Sequence, residues 1–278
     1  MAVVMALVRF DAIVLTRYAP VEKPSVRQVP GPPPQTPAGP PAVPVPSYPK
    51  LAIVIDDMGP DIGKLRELMR IGEPLTVAVM PYQRYSRATA SEAYDNGLDV
   101  LMHLPMEPRD TVTHDPGKGA LLVAMTPVEV RRQMEDDLGT VPHVIGVNNH
   151  MGSRFTEDTP HMREVLGFIR DKDLFFLDSR TSARSVGIRV AREMGVRNAG
   201  RNVFLDNTRD VGYIKGQLLE AVRIAKSRGS AIAIGHPYPE TIQALAEALP
   251  GLDAAGVRAV RLSELIGHAG GPEPGGWR

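Results

Sequence analysis

The sequence predicts an α/β fold: a parallel (β/α) barrel of seven or eight strands, distorted or incomplete. Three observations predict it. Short apolar runs recur between residues 51 and 260, amphipathic helical segments separate most of them, and capping residues mark the helix ends. An open doubly wound sheet would show the same local pattern, and periodicity does not decide whether the sheet closes.

The expected strands are residues 51–55, 75–79, 100–102, 144–147, 174–177, 203–205, 231–234 and 257–260, each a short apolar run of the kind buried on both faces. Between them, Ile62, Leu65, Leu68 and Met69 share one helical face, as do Met162, Val165, Leu166 and Ile169, and then Ile214, Leu218, Val222 and Ala225. Thr126, Pro127 and Glu129 have the order of a capping box with proline at the first helical position, and Thr159-Pro160 repeats the Thr-Pro device. Helix ends are expected at Asn96-Gly97, Gly139, Gly195 and Gly229, where glycine tolerates the left-handed cap.

The barrel accounts for residues 51–267. Residues 1–18 are apolar but interrupted by Arg9 and Asp11, and lack a basic leader and a clear cleavage site. They read as a tail or as a degenerate export signal or anchor. Residues 19–50 are dense in proline and read as a semi-rigid linker, and 268–278 as a Gly/Pro-rich frayed tail. A spacer behind a short apolar segment is the layout of a tethered envelope protein. The expected location is periplasmic or tethered to the membrane through the N-terminus; the alternative is an ordinary unstructured tail, with a cytoplasmic location.

Lys plus Arg and Asp plus Glu both number 32, so no global field draws the chain to nucleic acid. There is no cysteine, which excludes thiolate ligands, disulfides and a Cys nucleophile. No Walker loop or dinucleotide fingerprint is present, and Ser153, Ser179 and Ser263 lack a nucleophile-elbow context.

The polar residues that end the apolar runs carry the chemistry. The first run leads into Asp56-Asp57, the third into His103, and the fourth into Asn148-Asn149-His150. The fifth leads into Asp178-Ser179-Arg180, the sixth into Asp206-Asn207, and the seventh into Gly235-His236. In a parallel sheet these positions share the C-terminal edge, where such folds bind their ligands. Adjacent carboxylates repel unless a cation neutralises them, so Asp56-Asp57 suggests that one residue coordinates a metal while the other accepts a proton. With Asp57, His103 and His150 make a three-ligand set that leaves positions open for water and substrate. For that donor set zinc is the first choice among divalent metals, with nickel, cobalt and manganese as alternatives. His236 reads either as a packed loop residue or as a proton donor facing the metal. His114, His143, His161 and His268 read as surface residues. The connection from His103 to about Met125 is long enough to cover a cleft.

These residues resemble the divergent polysaccharide deacetylase family over essentially all of residues 51–266. The resemblance rests on AIVIDDMG at 52–59, MHLPME at 102–107, GVNNHMGSR at 146–154, FFLDSRT at 175–181 and IGHP at 234–237. It implies a barrel of the polysaccharide deacetylase type and metal-dependent hydrolysis of an N- or O-acetyl group on a polysaccharide or cell-envelope glycan. It also implies Asp56 as catalytic base, Asp57 as metal-binding acid, His103 as first metal histidine and His236 as late catalytic histidine. Ordinary deacetylases carry a second metal histidine a few residues after the first. Here that stretch has none, and His150 fills the gap, with Glu107 as the weaker candidate. Arg154 and Arg180 read as groups that orient Asp56 or hold substrate, or as ion-pair partners. Asn149, Asp178 and Asp206 read as substrate-binding or supporting residues. Two alternatives stand beside the deacetylase: a non-catalytic glycan-binding or envelope scaffold that keeps the fold, and another metal hydrolase, such as an amidase acting on cell-wall material.

Overall fold

A computed structural model describes residues 48–266. The expectations for 1–18, for 268–278 and for nearly all of 19–50 lie outside those residues, as does His268. Nine parallel strands form one sheet: β1 (Lys50–Met58), β2 (Thr76–Val79), β3 (Asp99–Met106), β4 (Gly146–Met151), β5 (Phe175–Asp178), β6 (Asn198–Gly200), β7 (Val203–Phe204), β8 (Ser230–Gly235) and β9 (Arg258–Val260). The helices are α1 (Ile62–Met69), α2 (Ser86–Asp95), α3 (Pro127–Leu138), α4 (Thr159–Asp171), α5 (Gly187–Glu193), α6 (Val211–Arg228), α7 (Pro239–Ala248) and α8 (Ser263–Ile266).

The sheet order is β6-β5-β4-β3-β2-β1-β8-β7, with β9 added beside the start of β1. Its two ends are consecutive in sequence. β6 pairs with β5 and β7 with β8. Between them the Arg201 N–H donates to the Asp178 carbonyl at 3.1 Å, and the Asn202 N–H to the Ile232 carbonyl at 2.9 Å. Residues 198–204 thus act as one bent strand, and the sheet curls into a barrel distorted at that bend. All eight expected strands are present. β6 was not expected, because Asn198-Ala199-Gly200 has no apolar run to signal it.

Alternation along the strands sorts the core into two layers. Leu51, Ile53 and Ile55 face the helices, whereas Ala52 and Val54 join Leu101, Phe175, Leu177, Ile232 and Ile234 inside the barrel. Leu262, Leu265 and Ile266 pack into the same inner cluster. The Leu262 N–H donates to Thr76 Oγ1 and that of Ser263 to Asp99 Oδ2, so this segment closes the end where the strands begin. The opposite, C-terminal end stays polar. Asp56 continues the inward row of Ala52 and Val54, and His103 continues that of Leu101.

Thr126 and Glu129 form the expected capping box. Two caps differ from expectation. Asp158, not Thr159, caps α4, accepting from the His161 N–H. Gly139 is right-handed at φ −61°, so it ends α3 without the left-handed turn seen at Gly229, where φ is 85°. His161 is also no surface residue: its Nδ1 meets Asp158 Oδ1 at 2.7 Å and its Nε2 meets the Met125 carbonyl at 3.0 Å.

Asp137 on α3 is buried, with Oδ2 unpartnered and Oδ1 accepting from Gln133. Burial pushes its carboxyl up from 3.8 to about 7, against the contacts from Gln133 and Tyr82. The folded state therefore holds a proton that the unfolded chain loses, and stability falls as pH rises from about 4 to about 7. An Asp137→Asn variant lacks this loss. In urea titrations its stability relative to the parent should rise with pH across that window, by on the order of 2–4 kcal/mol. A pH-independent difference would contradict the assignment.

Candidate metal centre

β1, β3 and β4 bring the first three ligand candidates together. His103 pairs in register with Asn148, which puts both side chains on the inner face, and His150 follows two residues later on that face. In a regular strand Asp57 would point away from Asp56. Instead the pairing of β1 with β2 shifts between Ile55 and Met58, and Asp57 takes a left-handed φ of 55°. Asp is among the residues that tolerate this region, and the turn aims its carboxylate back over the barrel mouth.

The result is a compact triangle. Asp57 Oδ1 lies 3.2 Å from His103 Nε2 and 2.9 Å from His150 Nδ1, and the two nitrogens are 3.1 Å apart. Among the described residues this is the one group of three or more such side chains suited to hold a metal ion. The fit has two further supports. Asp57 Oδ1 is buried yet accepts no well-directed hydrogen bond, although two imidazoles crowd it. The edges of the triangle also suit donors sharing one ion with bonds of roughly 2.0–2.2 Å.

Asn148 fixes the protonation pattern. Its amide N–H donates to Asp56 Oδ1 at 2.7 Å and to Ser179 Oγ at 3.2 Å, which leaves its carbonyl oxygen for His103 Nδ1 at 2.9 Å. His103 must then donate from Nδ1, and in the neutral ring Nε2 presents its lone pair to the triangle. Asp56 is buried, with Oδ2 3.7 Å from His103 Nε2. Desolvation raises its pKa, against the opposing pull of His103, His236 and Asn148. Burial acts on Asp57 in the same sense, but the adjacent His103 and His150 outweigh it and hold the carboxyl well below the usual range. For His103, burial disfavours the cation, yet Asp56 and Asp57 push the imidazole up to about 9. An ion entering below that pH must displace a proton.

His236 follows directly after β8, with Nε2 3.8 Å from Asp57 Oδ2. Asp206 pins it twice, accepting from the His236 backbone N–H at 2.6 Å and meeting Nδ1 at 3.0 Å, while Thr241 Oγ1 donates to Asp206 at 2.8 Å. Desolvation opposes protonation of His236, but Asp206 reverses it and the pKa rises.

The other candidates lie around this cluster. Asn149 accepts the Ser179 N–H at 2.9 Å and donates to Met151 and Thr181, tying β4 to the loop after β5. Asp178 turns outward, where it accepts from the Arg180 N–H at 2.8 Å and Ser185 Oγ at 2.7 Å. Arg154 donates to Glu107 at 2.6 Å, and Glu107 also accepts the Val123 N–H at 2.7 Å. Glu107 therefore staples the long loop to the segment after β4 and is not part of the triangle. Neither arginine holds Asp56; Asn148 does. Sequence reasoning did not single out Asn148, because an amide inside a strand looks like ordinary polar filling. The signal was there in its register opposite His103.

The chain belongs to the divergent polysaccharide deacetylase family, whose model matches residues 53–266. An uncharacterized protein of Haemophilus influenzae is 39% identical over 203 residues, 73% of this chain and 72% of the relative. The uncharacterized protein YibQ of Escherichia coli K12 is 35% identical over 217 residues, 78% of this chain and 67% of the relative. A crystal structure of an uncharacterized protein from Agrobacterium tumefaciens C58 superposes with a TM-score of 0.75 at 23% identity, covering 78% of this chain and 89% of that one. It shares the fold.

An Asn148→Ala substitution should free both His103 and Asp56. Zinc affinity, measured by competition with a chelating indicator, is expected to fall roughly 10- to 100-fold while the fold persists. Unchanged affinity in a folded variant would show that Asn148 does not orient the ligands.

Proposed function

We propose that this member of the divergent polysaccharide deacetylase family is a metal-dependent hydrolase that removes acetyl groups from a polysaccharide or cell-envelope glycan. The observation that carries the reading is that two groups of opposite task border the Asp57–His103–His150 triangle. Buried Asp56 lies 3.7 Å from His103, and Asp206-bound His236 lies 3.8 Å from Asp57. A divalent ion held by Asp57, His103 and His150, zinc being the first choice for this donor set, supplies Lewis acidity toward an acyl oxygen and a water.

The chain's own residues handle the protons. Asp56 accepts the proton of the attacking water; its raised pKa makes it a better base than an exposed carboxylate. Asn148 holds that carboxylate with one oxygen engaged, leaving Oδ2 turned towards His103. His236 donates from Nε2 to the departing amine or sugar oxygen. The Asp206 contact at Nδ1 stabilises the imidazolium and keeps the ring aimed at the site. His150 comes from the neighbouring strand rather than from the loop after His103, so the ligand set is complete without a second loop histidine.

The expected location is the cell envelope, where acetylated glycans lie. Among the described residues no helix is long and apolar enough to cross a membrane.

The test is acetate release from acetylated oligosaccharides by the zinc-loaded protein. Asp56→Asn and His236→Ala should each lower kcat by about 10²- to 10⁴-fold while zinc still binds. Asp57→Ala should lose both metal and turnover. Glycan binding without any acetate release would instead identify a scaffold that keeps the fold.

A further inference from the structure

One wall of the barrel mouth presents three arginines that no carboxylate contacts directly among the described residues. It begins at Arg180, an exposed residue held at a left-handed φ of 52°. Its guanidinium packs against Gly200, where an added Cβ would come within 2.8 Å of Nε. Next along the wall, Arg201 donates from Nε to the Ser179 carbonyl at 2.8 Å and from Nη2 to the Arg180 carbonyl at 3.2 Å. Its guanidinium covers the Phe204 ring at 4.7 Å. Phe204 meets His236 edge-on at 5.3 Å, His236 meets Tyr238 at 5.3 Å, and Arg209 covers Tyr238 at 3.6 Å. Arg180, Arg201, Phe204, His236, Tyr238 and Arg209 thus form a continuous surface with the candidate proton donor at its middle.

Other arginines near this rim are neutralised: Arg109 and Arg184 pair with Glu157, and Arg154 with Glu107. Among the described residues, Arg180, Arg201 and Arg209 make no hydrogen bond or ion pair to a carboxylate. The two acids that act on Arg201 at a distance, Asp178 and Asp56, direct their hydrogen bonds elsewhere, Asp178 to the Arg180 N–H and Ser185, and Asp56 to Asn148. Burial and the like charge of Arg180 disfavour the Arg201 cation, with Asp56 and Asp178 acting in the opposite sense. Backbone strain at Arg180 beside two guanidinium groups without a direct carboxylate partner is the kind of arrangement that a bound anion stabilises.

We infer that the acylated substrate is an anionic saccharide, whose carboxylate or phosphate is bound by Arg180 beside Arg201, with Arg209 extending the same cationic wall past His236. This rests on the hydrolase reading for its reaction, but not for its binding preference. The two sources of negative charge are separable by experiment.

Three versions of one acetylated oligosaccharide serve as probes: neutral, carboxylated and phosphorylated. With zinc-loaded protein, kcat/KM for at least one charged version should exceed that for the neutral one by about tenfold or more, and added salt should erode the ratio. Arg180→Gln should bring the ratio towards one, whereas Arg180→Lys should keep much of it. The better of the two charged probes identifies the anion. Equal turnover of all three overturns the inference and leaves the hydrolase standing. If none is turned over, direct calorimetric binding decides. Tighter binding of a charged probe, lost in Arg180→Gln, upholds the inference and removes the hydrolase. No preference in binding overturns both.

Discussion

In an unbroken strand Asp56 and Asp57 would face opposite sides of the sheet, one inside the barrel and one among the helices. The register shift in β1 between Ile55 and Met58, with Asp57 left-handed, turns Asp57 to join Asp56 at the mouth. That single irregularity sets two carboxylates against three imidazoles from β3, β4 and β8. A left-handed non-glycine residue costs about 1–2 kcal/mol, and two neighbouring carboxylates repel further. The adjacent imidazoles offset the repulsion. Asn148 and Asp206 then act as the fixed points, one orienting His103 and Asp56 together, the other orienting His236.

The barrel makes this assembly possible because its two ends differ. At the end where the strands begin, Leu262, Leu265 and Ile266 fill the interior with apolar side chains. At the other end the inward rows finish in Asp56, His103, Asn148 and His236. A dry floor beneath a polar mouth raises the strength of every charge interaction there. It accounts for the opposite shifts of two adjacent aspartates: Asp56, deeper, is pushed up by desolvation, while Asp57, in contact with two imidazoles, is held down.

Much of this was legible in the sequence, for physical reasons. Strands buried on both faces leave apolar runs, so β1 to β5 and β7 to β9 were visible, and the polar residue ending each run marked the edge that carries the candidate site. Histidines at the ends of β3 and β4 pointed to a shared site, since neighbouring parallel strands bring their ends together. β6 escaped because a three-residue strand of Asn, Ala and Gly has no hydrophobic pattern. Asn148 escaped because its importance lies in whom it faces, which depends on register. Arg154 looked like a site residue from its position after β4, yet Glu107 claims it, and only folding of the long loop reveals that pairing. The cationic wall was partly visible in Arg180, but its extent depends on the bend at residues 198–204.

The central claim is that Asp57, His103 and His150 share one divalent ion. Crystals soaked in zinc and measured above and below the zinc absorption edge test it directly. The account predicts one strong anomalous peak within bonding distance of Asp57 Oδ1, His103 Nε2 and His150 Nδ1 together. No peak at that point, or zinc bound only elsewhere on the molecule, would contradict it.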